Sequence, residues 1–148
     1  MKYFEDIEVG QVHQFPERYT LTEENILEMG RQWDPIPLHM DKKAAQESVF
    51  GDLVASTVHL FAIATKLSRS YKEEWAVVSS LGMSDFKNHA PGYAGHILEG
   101  RNTFTSKRVS SSRPDMGVVD YKCELVNQDD KLLFEFSGAA LYKLRHAN

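Results

Sequence analysis

The chain has 148 residues, of which 42% are hydrophobic, 26% charged and 11% aromatic; this excludes a disordered polymer and suits one domain over residues 1–148, able to bury roughly two thirds of its unfolded surface. A net charge of -4, with Lys and Arg scattered, leaves no basic footprint for a nucleic-acid backbone. The single cysteine, Cys123, has no intramolecular disulfide partner, and Met1-Lys2-Tyr3-Phe4-Glu5-Asp6 lacks the apolar run of a signal peptide, so a reducing cytoplasm is expected, with no membrane partner.

In chain order, Val12 to Tyr19 reads as a first strand weakened by Pro16. Thr22 is placed to cap a helix running to about Trp33, with Leu21 and Ile26 at the positions of a hydrophobic staple and Glu23 and Glu24 in the first turn, where the dipole favours anions. Next comes Trp33-Asp34-Pro35-Ile36-Pro37-Leu38-His39, a carboxylate and an imidazole five residues apart. Its prolines fix their own φ and steer Asp34 and Ile36 towards extended backbone, which predicts a semi-rigid loop.

Asp41 can cap a short helix through Glu47, and Phe50-Gly51-Asp52 predicts a break with Asp52 capping the element that follows. From Leu53 to Thr65 the chain is apolar nearly all round and too short to span a bilayer, which predicts a helix buried on most sides. Four strands follow, Trp75 to Phe86, His96 to Val109, Val118 to Val126 and Leu132 to Leu144, with a hairpin turn at Asn127-Gln128-Asp129-Asp130. Val119, Tyr121, Cys123 and Leu125 alternate with Asp120, Lys122 and Glu124, the pattern of a half-buried antiparallel strand. The order predicts an α+β domain whose sheet curls around a central helix.

Several segments resemble the MaoC-like dehydratase family, which includes R-specific enoyl-CoA hydratases. Asp34, Pro37, Leu38 and His39 match the hydratase pattern Asp, any residue, Asn, Pro, aliphatic, His, with Ile36 in place of Asn. Val49 to His59 is similar to the start of the family's central helix, with Thr57 where glycine is usual. Ser110 to Val119 looks like its Ser-Arg-Pro turn, whereas Phe86 to Leu98 departs from its usual Pro-Gly-Asp loop. The resemblance implies a hot dog fold, a homodimer or higher oligomer joined sheet edge to sheet edge, an acyl-CoA or other acyl-thioester substrate, and no metal or other cofactor.

Hydration of a 2-enoyl thioester needs a base for water, an acid for the α-carbon and help for the developing enolate at the carbonyl. On spacing alone Asp34 and His39 are either turn-forming residues or a dyad; the resemblance makes them the catalytic pair. Amides near Ser56 and Thr57, at the positive end of the apolar helix, are candidates for the carbonyl oxygen. The hydroxyls of Ser56, Thr57 and Thr65 are candidate substrate contacts, or simply bond back to a carbonyl one turn earlier. His59 reads as a structural histidine, His13 and His146 as incidental, and His89 and His96 lack the spacing of a metal site. Arg113 is expected to anchor its turn, and Lys107 and Arg108 to form a solvated strand end, with coenzyme A phosphates as the alternative for all three. A binding protein without catalysis and a thioesterase are the competing readings.

Overall fold

The computed structural model describes residues 1–146. A short 3-10 turn, Phe4–Asp6, leads into β1 (Val12–Gln14) and β2 (Tyr19–Thr20), then α1 (Glu23–Trp33), α2 (Pro37–Met40), α3 (Lys42–Gln46) and α4 (Thr57–Ser68), and finally β3 (Val77–Asn88), β4 (Ile97–Val109), β5 (Met116–Val126) and β6 (Leu132–Lys143). The sheet is antiparallel in the order β1-β4-β5-β6-β3, with β2 also pairing with β4. It curves around α4, the hot dog arrangement that the resemblance implies.

The alternation in β5 sets the two faces. Cys123 and Leu125 are buried on the concave side in one cluster with Leu60, Ile63, Ala64 and Leu67 of α4, and each large aliphatic side chain removed from water there contributes about 1.5–3 kcal/mol. Glu124 on the convex side is bound by Arg101 at 3.0 Å and by Lys122 at 3.5 Å, and Lys122 also reaches Glu135 at 3.7 Å. The other end of the concave face is filled by Phe4, Ile7, Phe104, Val119, Ala140 and Tyr142. Gly117 has no Cβ where the Phe4 ring lies.

Four expectations are corrected. Pro16 divides the first strand into β1 and β2, since it cannot donate to a ladder. The apolar helix begins at Thr57 and is capped by Ser56, not Asp52; the Asp52 carboxylate instead accepts from the Leu53 amide at 2.8 Å. Leu53 to Ser56 stays extended because Val54 donates to the Leu38 carbonyl at 3.2 Å and Ala55 to that of Gly92 at 2.9 Å. Burial of α4 is one-sided, with Val58, Ala62 and Lys66 forming an exposed stripe. Lys107 is not a solvated strand end: its ammonium donates to the Ile7 carbonyl at 2.6 Å and lies over the Phe4 ring, tying down the N-terminal turn.

The turn between β5 and β6 is built by Asn127, whose carboxamide oxygen accepts from the amides of Asp129 and Lys131. Arg113 pairs with Asp115 at 3.5 Å and its amide donates to the Ser110 hydroxyl, which anchors the turn between β4 and β5. Strand β3 differs from the others: all twelve of its residues are exposed, Leu81, Met83 and Phe86 among them, and among the described residues it pairs with β6 alone. No helix among the described residues is long and apolar enough to cross a membrane.

Candidate active site

Asp34 closes α1, its amide donating to the Gly30 carbonyl at 3.1 Å. Ile36 is extended as expected before proline (φ -109°, ψ 155°), whereas Asp34 is only partly so (φ -151°, ψ 74°). Pro37 then occupies the first position of α2, where its missing N–H is no loss and its φ suits a helix. The expected loop is thus a single helical turn, and His39 rides on it.

The His39 ring is buried, and its Nδ1 lies 2.7 Å from the Val54 carbonyl oxygen. A carbonyl only accepts, so Nδ1 carries a proton, and in the neutral ring Nε2 has the lone pair. That lone pair faces Asp34 Oδ2 at 3.4 Å, and the Asp34 side chain is 37% exposed. The two groups sequence reasoning singled out therefore converge, one buried and held in a fixed tautomer, the other open to solvent.

Val54 also fixes the distance to α4, because the strand segment that binds His39 reaches the helix three residues later. The Ser56 hydroxyl is spent within the protein, accepting the His59 amide at 3.1 Å. Thr57 is exposed, and its hydroxyl accepts from the Asn88 carboxamide at 2.9 Å. The amides of Thr57 and Val58 have no protein acceptor among the described residues, and they stand at the positive end of the helix dipole. Thr65 is two turns further on and donates to the Phe61 carbonyl at 2.9 Å, back-bonding within its own helix.

His59 is the residue next to the dyad that sequence reasoning set aside. It is buried on the first turn of α4, edge-on to the Tyr19 ring, with Nδ1 lacking a hydrogen-bond partner. Burial, with His39 nearby, lowers its pKa to about 4, so the ring is neutral at neutral pH. The matching histidine of the family pattern was the available signal. His89 and His96 are occupied separately, the first by Glu135 at 3.3 Å and the second by the Tyr93 amide at 3.2 Å.

A family model described as the MaoC like domain matches residues 5–124. The chain belongs to this family. Protein MaoC of Klebsiella aerogenes is 34% identical over 113 residues, 76% of this chain and 33% of that protein; the chain thus spans about a third of the length of that curated relative. Among solved structures, a MaoC-like dehydratase from Rhodospirillum rubrum superposes with a TM-score of 0.89 at 26% identity, covering 97% of this chain and 98% of that one. An (R)-hydratase from A. caviae involved in PHA biosynthesis shares the fold, with a TM-score of 0.65 at 18% identity over 93% of this chain and 97% of that one.

Proposed function

We propose that this MaoC-like domain adds water to, or removes it from, an acyl thioester, converting a 2-enoyl-CoA and a 3-hydroxyacyl-CoA into one another. The observation that carries the reading is the meeting of Asp34 Oδ2 and His39 Nε2 at 3.4 Å, with the opposite nitrogen of the ring bound to Val54. An ionised carboxylate and an unprotonated Nε2 are both acceptors, so a water between them donates one O–H to each and turns its lone pair outward. As that oxygen bonds to the β-carbon, one proton passes to the pair, electrons move to the thioester oxygen, and a proton returns to the α-carbon. The protein ends as it began, and dehydration follows the same path in reverse.

The free amides of Thr57 and Val58 are the available donors for the thioester oxygen, where negative charge develops. Loss of one such donor typically lowers rate by about 10² to 10³. Ser56 supports this site by capping the helix with its hydroxyl and not by touching substrate, and Thr57 contributes its amide. The names of the Rhodospirillum and A. caviae relatives support the reaction class.

The twelve-residue edge of β3, with Leu81, Met83 and Phe86 exposed, supports a homodimer formed by pairing two copies of this strand. The reaction is tested by following absorbance of crotonyl-CoA. Asp34→Asn and His39→Gln should each lower kcat/KM by at least about 10². Full rate in either variant, or no turnover by the native protein at any acyl length, removes the hydratase reading; release of free thiol would favour a thioesterase instead, and binding without chemistry a carrier.

A further inference from the structure

His59 stands beside the dyad with a polar ring that the protein leaves unused. Its Nδ1 belongs to the buried side-chain atoms that have no hydrogen-bond partner. The other nitrogen, Nε2, makes no hydrogen bond with the described residues either, yet it does not belong to that enclosed set, so it keeps surface open to a neighbour. The whole residue is 3% exposed against 7% for His39, so the two imidazoles are enclosed to a similar degree. Folded proteins pair nearly all their buried polar groups, because an unpaired one forfeits its solvation with nothing in return.

Local structure holds this ring at the end of the helix. The Ser56 hydroxyl accepts the His59 amide at 3.1 Å, which puts His59 at the third position of α4. Side chains of a helix lean back towards its N-terminus, here towards the turn whose Thr57 and Val58 amides have no acceptor among the described residues. The Tyr19 ring packs edge-on against the imidazole, with centroids 6.4 Å apart. The segment before the helix is bound to α2 twice, through the Val54 amide on the Leu38 carbonyl at 3.2 Å and the Val54 carbonyl on His39 Nδ1 at 2.7 Å. This docking brings His59 close enough to His39 for a charge on one ring to oppose a charge on the other.

Enclosure also decides where the ring carries its proton. A neutral imidazole has one N–H and one lone pair, and folded proteins leave a buried donor unmet more rarely than a buried acceptor. The proton therefore belongs on Nε2, which has open surface, and the lone pair on Nδ1, which has none. Burial keeps the ring uncharged down to about pH 4.

We propose that His59 is a further catalytic residue, its Nε2–H an uncharged donor to the thioester oxygen alongside the amides of Thr57 and Val58. The inference rests on the thioester reading of the Asp34–His39 site. As water adds to the β-carbon and electrons move to that oxygen, the Nε2–H bond stays intact and its hydrogen bond strengthens with the growing negative charge. His59 neither gains nor loses a proton. An imidazolium could serve the same oxygen, but it would repel the proton that the dyad takes from water; a neutral donor adds no such opposition.

Two measurements test the role: turnover of crotonyl-CoA, and the thioester carbonyl stretch of bound butyryl-CoA, a saturated chain that cannot be hydrated, read by isotope-edited infrared spectroscopy. The native protein should lower the stretch relative to the free thioester. His59→Leu should reverse part of that shift and lower kcat by about 10² while KM stays near its native value, and His59→Gln, which keeps a neutral N–H close to the position of Nε2, should recover part of both. His59→Met is the second apolar variant if His59→Leu fails to fold. Native kcat in the apolar variant, equal carbonyl frequencies, or no bound butyryl-CoA while crotonyl-CoA is still hydrated overturns the donor and leaves the hydratase reading standing. A shift that the apolar variant loses, with no turnover of any enoyl-CoA, supports the donor and removes only the hydratase reading; neither binding nor turnover removes both.

Discussion

Gly30 of α1 lies directly against the backbone of His39, so closely that a Cβ at position 30 would collide with the His39 carbonyl group and its Cβ. The contact brings α1 and α2 together at the point where Asp34 and His39 must meet. Backbone and not a flexible side chain would have to move, so Gly30→Ala should destabilise the fold by about 1–3 kcal/mol. The displaced ring should also lower hydratase turnover in the fraction that remains folded. Denaturant midpoints and crotonyl-CoA rates on the same preparation check both effects.

His59 makes the protein sensitive to acid. Its folded pKa of about 4 lies below the ordinary 6.5, so between these values the unfolded chain binds a proton that the native chain refuses. Stability is therefore fully present above 6.5 and falls as pH drops towards 4. His59→Phe should flatten this part of the profile, measured as the urea midpoint at neutral pH and midway through the window. An unchanged slope would show that other groups set the acid limb.

Cys123 should be chemically silent. It is buried in the core, and burial, with Glu124 beside it, pushes its thiol pKa up to about 12. The thiolate is the reactive species, so iodoacetamide should label the native protein about a thousandfold more slowly than the denatured chain. Mass spectrometry of timed samples with and without urea measures the ratio.

If two copies pair through β3, Leu81→Asp should abolish the association, since it places a charge on an exposed apolar stretch of that strand. Light scattering should then give the 16.9 kDa mass of one chain for the variant and twice that for the native protein. A monomeric native protein at micromolar concentration would rule out the pairing.

Much of this architecture was legible because its signals are local. Thr22, Leu21 and Ile26 announce α1; Asp41 announces α3; the inward alternation from Val119 to Leu125 announces β5. The start of α4 was not, since Asp52 before an apolar run has the pattern of a capped helix. What keeps Leu53 to Ser56 extended is backbone bonding to Leu38 and Gly92, which no local pattern encodes. The Asp34–His39 pair could be read from spacing and resemblance, but the carbonyl that selects the histidine tautomer belongs to Val54. The His13 ring packs on Trp75 and Phe104, which the three residues of β1 are too few to reveal, and its register partner Asn102 is 89 positions away.

The convex surface governs how far such molecules can build on one another. Arg101, Lys122, Glu124 and Glu135 cover it with interlocked charges of both signs, so stacking sheets back to back would strip water from ions already satisfied. At the far rim β1 offers only three residues, against twelve in β3. Strand addition therefore has one long rim per molecule, and a second copy paired there would consume it, leaving no comparable rim for a third.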